Sequence, residues 1–179
     1  MRCYNKPFPF IVTDHNKSRK DFDKRALTTY SVDNTKIGQT IKLGSFLIKI
    51  LPAYHNVECI SFLITDIITN KNIYFATDTK ELPNIVDKKF DCMLIECNYS
   101  KEEIIDKISK GLDVHQGYEN HMSLEYLAEW LKKRTTKPKT LCLIHLSNRS
   151  NLNEIKASEC LKQYADNVLI AKEQLTIEI

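Results

Sequence analysis

Four residues with the side-chain chemistry of metal ligands or of general acids and bases each follow an apolar run. With the preceding run in parentheses, they are His55 (46–54), Asp78 (73–77), Glu96 (92–95) and His145 (141–144). Each run has the length and composition of a buried strand. Taken singly, a His or Asp at a strand end is more often a hydrogen-bonded loop residue than a ligand. The four together favour a shared site.

The side chains of this set favour a site for divalent metal ions. Imidazole and carboxylate groups suit Zn²⁺ or a similar ion, and a carboxylate such as Asp78 can bridge two ions. Two ions that share a water molecule lower its pKa and stabilise the entering and leaving oxygens of a displacement. The residue types therefore predict a two-metal site suited to phosphodiester hydrolysis.

Apolar and amphipathic segments alternate after residue 40, which predicts the elements that would position these residues. The predicted strands are 45–51, 59–65, 73–77, 92–97, 140–144 and 175–179, and the predicted helices are 101–110, 124–133 and 152–164. Ser123 is placed to cap the second helix, and residues 71–72 are predicted to form a turn. This order is typical of an α/β domain, in which functional residues gather at the carboxyl ends of strands.

The composition indicates one globular domain over residues 1–179. The chain has 26 Lys+Arg and 23 Asp+Glu, and the resulting net charge of +3 is too small to indicate nucleic-acid binding by itself. Basic residues cluster at 17–25 and 132–139, where solvated surface is the commoner explanation. No segment reaches the roughly 18 to 20 apolar residues of a membrane span, and none of the cysteines forms a CxxC pair. We therefore expect a cytoplasmic protein with no membrane partner.

Five segments, in this order, resemble the later part of the metallo-β-lactamase superfamily, in particular its branch with RNase Z and the WalJ-like phosphodiesterases. The segments are AYHN around His55, YFATDT around Asp78, LIECNYS at 94–100, NHMS around His121 and LIHLSNRSNL at 143–152. The resemblance spans residues 55–151. It implies an α/β fold of αββα type, in which two sheets pack face to face with helices outside. Asn120 and Met122 depart from the Gly and Leu that usually flank the family's histidine.

The resemblance also implies a role for each candidate residue. It makes His55 a ligand of the first metal ion, Asp78 the bridge between both ions, and His145 a ligand of the second. It makes His121 a catalytic residue, together with Asp78, where His121 contacts the scissile phosphate or transfers a proton. Residues that orient ligands through hydrogen bonds are expected at Glu96, Asn98, Ser147, Asn148 and Asn151, although Asn151 suits a helix start equally well. The implied cofactors are two Zn²⁺ ions, or Mn²⁺ in their place.

The superfamily's first metal-binding motif, His-x-His-x-Asp-His, is absent from the chain. The nearest segment, residues 10–15, ends in Asp14 and His15 but has Phe10 and Val12 where the ligating histidines belong. We expect residues 7–15 to form a strand and an exposed turn instead. Only two ligands then remain for each ion, which predicts weak binding because a catalytic zinc ion normally has three protein ligands. The fold is therefore expected to be incomplete at its N-terminus.

The missing motif leaves several functions open. The leading hypothesis is a phosphodiesterase or nuclease acting on nucleic acid or nucleotides, with a cyclic-nucleotide phosphodiesterase as a narrower alternative. A catalytically silent protein that keeps the fold for binding is the alternative from a different class. In an α/β domain without any site, the strand-end residues would be coincidental. Exposed strands of an incomplete first sheet predict a homodimer or pairing with a complementary N-terminal fragment.

Overall fold

The computed structural model describes residues 37–85, 87–112, 116–146 and 152–179. The strands in these ranges are β1 (Thr40–Leu43), β2 (Phe46–Ala53), β3 (Cys59–Asp66), β4 (Lys71–Ala76), β5 (Cys92–Glu96), β6 (Thr140–Ile144) and β7 (Asn167–Ile170). The helices are α1 (Lys101–Ser109), α2 (Leu124–Lys132) and α3 (Glu154–Leu161), with a short 3-10 helix at Gln116–Asn120. The predicted helices and five of the six predicted strands are confirmed to within a few residues at their ends.

The strands form one mixed sheet in which their order in space is their order in the chain. β1 to β4 pair antiparallel, whereas β4 to β7 pair parallel. Parallel neighbours need a crossover, which α1 and α2 supply between β5 and β6, and α3 between β6 and β7. Strands β2, β4, β5 and β6 therefore run in the same direction. We call the end of the sheet where these four strands finish the carboxyl end, and the other the amino end.

One face of the sheet packs against the helices and forms the core. On this face Tyr74, Met93 and Leu141 are aligned by strand register and fully buried. Side chains from α2 and α3 complete the cluster, among them Leu127, Trp130, Leu131, Ala157 and Leu161. The predicted start of α2 is confirmed, because the Ser123 side chain accepts a hydrogen bond from the Tyr126 N–H. The apolar stripe of a surface helix thus covers the helix-facing side of the sheet.

The opposite face is also apolar. Its side chains include Ile50, Phe62, Phe75 and Leu94, which the register places side by side across β2 to β5. Ile50 is fully buried, and the other three are partly buried. The α/β class and the metallo-β-lactamase fold are confirmed, and the described residues form one seven-stranded sheet with helices on one face. The predicted strand at 7–15 lies outside the described residues.

Two sequence predictions about this sheet are wrong, and two of its strands were not predicted. The predicted turn at residues 71–72 lies within β4; the turn is at 67–70, where Asp66 accepts hydrogen bonds from Ile68 N–H and the Thr69 hydroxyl. The segment 175–179 forms no strand, although it alternates like one. The last strand is instead β7, which lies parallel to β6. Strand β1, which pairs along the edge of β2, was not predicted.

The basic residues of segment 132–139 lie far from the carboxyl end of the sheet. This segment connects the end of α2 to the start of β6, which is at the amino end. Two of its charged groups have structural partners there: Lys139 pairs with Asp91, and the Arg134 guanidinium donates to the backbone carbonyls of Ile85 and Lys88. Within the described ranges, no helix is both long and apolar enough to cross a membrane.

Candidate metal centre

The carboxyl end of the sheet brings together the candidate residues that the sequence indicates. His55 lies just beyond β2, Asp78 just beyond β4, and His145 directly after β6. Glu96 is the last residue of β5. His121 reaches the same place from the short segment between the 3-10 helix and α2. The four strands and one helix start are therefore the scaffold of a single cluster.

Asp78 and His145 leave their strands through an unusual backbone conformation. Their φ angles are +50° and +54°, in the left-handed region that residues other than glycine rarely adopt. Such a conformation persists only where surrounding contacts hold it, and it is enriched at functional sites. For His145 one such contact is a 3.0 Å hydrogen bond from the Asn98 side chain to its backbone carbonyl. Both residues turn sharply at the strand end instead of continuing the strand.

Glu96 is the fully buried hub of the cluster. Its Oε1 accepts hydrogen bonds from Nδ1 of His121 at 2.5 Å and Nδ1 of His145 at 3.1 Å. Its Oε2 accepts from the Thr79 N–H at 2.8 Å. Burial alone would raise the pKa of Glu96, but these hydrogen bonds lower it, and the net direction is downward. Glu96 is therefore a carboxylate at neutral pH, and an acceptor-only group requires a proton on both Nδ1 atoms.

The proton on Nδ1 leaves Nε2 of a neutral imidazole as the nitrogen available to a ligand. For His145 this Nε2 lies 3.7 Å from Oδ1 of Asp78. The hydrogen bond to Glu96 raises the pKa of His145, burial opposes the rise, and the charges of Glu96 and Asp78 add to it. The Glu96 carboxylate thus fixes the tautomer and direction of two imidazoles. This is the arrangement in which a carboxylate supports a metal-ligating histidine.

His55 is half-buried, and its imidazole nitrogens are unsatisfied. Both of its ring nitrogens are shielded from solvent and lack a hydrogen-bond partner among the described residues. The His55 ring meets the His121 ring edge-on at 5.0 Å between centroids, and the rings of His121 and His145 are 5.1 Å apart. A buried polar nitrogen without a partner costs free energy, and a bound cation would remove that cost. The three imidazoles therefore line one small region.

Two sets of three side chains could each hold a cation. Within a set, each side chain offers one ligand atom, and these three atoms lie within 4.8 Å of one another. The sets are His55, Asp78 and His121, and Glu96, His121 and His145. The first set offers two imidazoles and a carboxylate, which is a common ligand set for a catalytic zinc ion. In the second set, Glu96 is already engaged by hydrogen bonds. The donor chemistry and the orphaned His55 nitrogens fit a divalent cation, as the fold implies. The place of His121 in both sets was not predicted from sequence.

The expected orienting residues fall into two groups. Asn98 donates its backbone N–H to the Met122 carbonyl at 2.9 Å and its side chain to the His145 carbonyl, so it connects the His121 and His145 segments. Glu96 makes the contacts described above. Ser147, Asn148 and Asn151 lie outside the described residues, as do Asp14 and His15. Sequence reasoning missed Thr79, which is fully buried beside Asp78 and carries no signal of its own in the sequence.

Comparisons with known proteins identify the family of this chain. A model of the beta-lactamase superfamily domain matches residues 6–146. The metallo-beta-lactamase fold protein YhfI from Bacillus subtilis matches with 20% identity and a TM-score of 0.59, over 79% of this chain and 53% of that chain. A diphosphatase from the PhnP family matches with 14% identity and a TM-score of 0.53, over 79% and 47%. The short form of human tRNase Z matches with 15% identity and a TM-score of 0.52, over 78% and 45%.

These identities are low, so the structural matches show a shared fold and no more. The chain spans about half the length of each of the three structures. A search of curated proteins finds no match. The predicted resemblance to the metallo-β-lactamase superfamily is confirmed, with a tRNase Z among the proteins of the same fold.

Proposed function

Because the chain belongs to the beta-lactamase superfamily, we propose that it is a divalent-metal-dependent hydrolase that cleaves phosphodiester bonds in nucleic acid or nucleotides. The observation that carries this proposal is the buried Glu96 carboxylate, which holds the imidazoles of His121 and His145 beside Asp78. The names of two matched structures, a diphosphatase and a tRNase Z, agree with a phosphate substrate.

We assign the metal ligands to His55, Asp78 and His145, with Zn²⁺ as the expected ion and Mn²⁺ as its substitute. When bound, such an ion supplies a Lewis acid and lowers the pKa of a coordinated water. Asp78 lies near both His55 and His145 and is the residue suited to serve two ions. The unpartnered nitrogens of His55 support its place in this set.

The other polar residues of the cluster fix the tautomers and the orientations of the histidines. Glu96 keeps a proton on Nδ1 of His121, which leaves Nε2 of that ring to contact a phosphate oxygen or to move a proton to a leaving group. The same carboxylate directs Nε2 of His145 toward Asp78. Asn98 keeps the His145 backbone in its left-handed turn. In this proposal His121 and Asp78 are the catalytic pair.

Further ligands are needed because the proposed set gives each ion two protein ligands. We propose that they come from a complementary N-terminal segment or from a second copy of the chain. The match to about half of each related structure and the apolar second face of the sheet support this pairing. Gel filtration with light scattering gives the stoichiometry, and a monomer that binds metal tightly would contradict the pairing.

Zinc titration and hydrolysis of bis(p-nitrophenyl) phosphate test the function, each measured with the chain alone and with its upstream-extended form. Asp78→Asn is expected to weaken zinc binding by at least about 100-fold, more than a change behind the ligands does, and to abolish hydrolysis. Asp66→Asn is the matched control, because Asp66 serves the turn at 67–70 at the amino end of the sheet. Absence of metal and of hydrolysis in both forms would refute the proposal.

The same measurements separate the alternatives. A catalytically silent binding protein would take up no zinc in either form, whereas stoichiometric zinc binding counts against it. A cyclic-nucleotide phosphodiesterase would hydrolyse cyclic mononucleotides in preference to linear dinucleotides, so a direct comparison of the two substrates assigns the narrower activity.

A further inference from the structure

Strands β2 and β4 are not neighbours in the sheet, yet their extensions touch at the site. β3 lies between them and begins at Cys59, which pairs with Ala53 at the end of β2. Beyond that point no strand of the described residues separates the two extensions. There the Tyr54 N–H donates to Oγ1 of Thr79 at 2.8 Å, and the Lys80 N–H donates to the Tyr54 carbonyl at 2.9 Å. These two hydrogen bonds join the segment of His55 to the segment of Asp78.

The hydroxyl group of Thr79 has one fixed orientation. Thr79 is fully buried, and its hydroxyl accepts from Tyr54 while it donates to the Glu81 carbonyl at 2.6 Å. A hydroxyl has a single proton, so this donor and acceptor pair determines the direction of the O–H bond. The side chain therefore connects two backbone segments instead of merely filling space.

The backbone of Thr79 connects to the rest of the cluster. Its N–H donates to Oε2 of Glu96, and Oε1 of Glu96 accepts from His121 and His145. Its chain neighbour is Asp78, and its hydroxyl partner Tyr54 precedes His55. Thr79 thus contacts the segments of His55 and Asp78 directly. It is connected to the imidazoles of His121 and His145 through the Glu96 carboxylate.

We propose that Thr79 is a positioning residue of this site, whose buried hydroxyl fixes the His55 segment against the Asp78 segment so that both side chains face one metal ion. This inference rests on the proposed metal-dependent function. It concerns the relative position of two segments that lie at strand ends and that the sheet itself does not pair. The hydroxyl, together with the backbone hydrogen bond from Lys80 to Tyr54, joins these two segments.

Two substitutions separate the hydroxyl from the volume of the side chain. Thr79→Val keeps the shape but removes the two hydrogen bonds of the hydroxyl, to Tyr54 and to Glu81, whereas Thr79→Ser keeps the hydroxyl and loses a methyl group. Thr65→Val is the matched control. Thr65 lies on β3, and its hydroxyl donates to the Asn72 side chain at 2.8 Å, away from the candidate ligands. All three variants keep the candidate ligands and Glu96.

The first measurement is zinc affinity, by competition with a chromogenic chelator. Thr79→Val is expected to weaken zinc binding by about 10- to 100-fold, the usual effect of a lost contact behind a ligand. Thr79→Ser is expected to stay within about threefold of the original chain, and Thr65→Val to leave the affinity unchanged. Equal losses in Thr79→Val and Thr65→Val would overturn the proposal, because they would indicate general destabilisation.

The second measurement needs no metal. Amide hydrogen exchange of Tyr54 in the metal-free chain is expected to quicken at least about tenfold in Thr79→Val and to stay slow in Thr79→Ser. Unchanged exchange at Tyr54 in Thr79→Val would overturn the proposal. If neither the original chain nor its upstream-extended form takes up zinc, the proposed function fails, and the exchange of Tyr54 alone decides whether Thr79 fixes the two segments.

Discussion

Strand β5 has a buried carboxylate at each end, and the two differ in their partners. Asp91, directly before the strand, accepts from the Asn72 N–H and pairs with Lys139 at 2.8 Å and Lys71 at 3.6 Å. Glu96, at the other end, accepts from two imidazoles and a backbone N–H. In both cases burial would raise the carboxyl pKa, and hydrogen bonds lower it below its usual value.

The partners determine what each carboxylate can do beyond holding the strand. A lysine ammonium has only donors, so the pairs at Asp91 tie the starts of β4, β5 and β6 together and offer nothing to a ligand. An imidazole has a second nitrogen, so the pairs at Glu96 leave two ring atoms for a metal or a phosphate. The chain thus has a structural ion-pair cluster at the amino end and the candidate metal site at the carboxyl end.

Of the substitutions at the two ends of β5, Glu96→Gln has the largest expected effect. The amide brings a donor toward a place where three donors already converge, so at least one buried N–H loses its acceptor. We expect the free energy of unfolding to fall by about 2 to 3 kcal/mol and zinc affinity to fall by about 10- to 100-fold. Urea denaturation and chelator competition measure the two losses. Zinc affinity equal to that of the original chain would contradict the role of Glu96 as hub.

Asp91→Asn is expected to have a smaller effect, limited to stability. Its lysine partners are substantially exposed, with side-chain exposures of 49% and 37%, so solvent weakens the attraction. We expect a loss of about 1 kcal/mol in the free energy of unfolding with zinc affinity unchanged. If Asp91→Asn lowered zinc affinity as much as Glu96→Gln, the contrast between a structural carboxylate at one end of β5 and a metal-site carboxylate at the other would be wrong.

The smallest effect is a dependence of that loss on pH. The folded-state pKa of Asp91 is lowered, so its stabilisation is present above the unfolded value of about 3.9 and disappears as pH falls through the folded value. The difference in free energy of unfolding between the original chain and Asp91→Asn should be constant from about pH 5 to 7 and should shrink below about pH 4. Denaturation curves over this range measure it, and a difference that grows in acid would refute the assignment.

The sequence indicated which candidate residues lie together because apolar runs end in polar residues, whereas the roles of these residues stay predictions. A run such as 141–144 indicates a buried strand, and His145 after it must then lie at a strand end. The geometry between strands was less accessible. Thr79 contacts Tyr54 across 25 positions of the chain, and nothing in the composition of either segment indicates that contact. The closeness of His121 to His55 likewise depends on the fold.

In the sheet, too, local sequence signals were predictable, whereas pairing between strands distant in the chain was not. Residues 167–170 were missed because four residues give too short a pattern, and their pairing with β6 makes them a strand. Residues 175–179 alternate as a strand does, but they form none in the structure. The start of α2 was predictable, because the Ser123 cap is a local signal.

The left-handed backbone at Asp78 and His145 limits which amino acids these two positions can accept. Asparagine and glycine tolerate such a φ, whereas alanine and β-branched residues resist it. Alanine replacement would therefore combine the loss of the side chain with a backbone strain energy, and a measured loss of stability or of metal affinity would not separate the two. Sequence variation at both positions should accordingly favour Asp, Asn, His and Gly, even in related chains that no longer carry out any reaction.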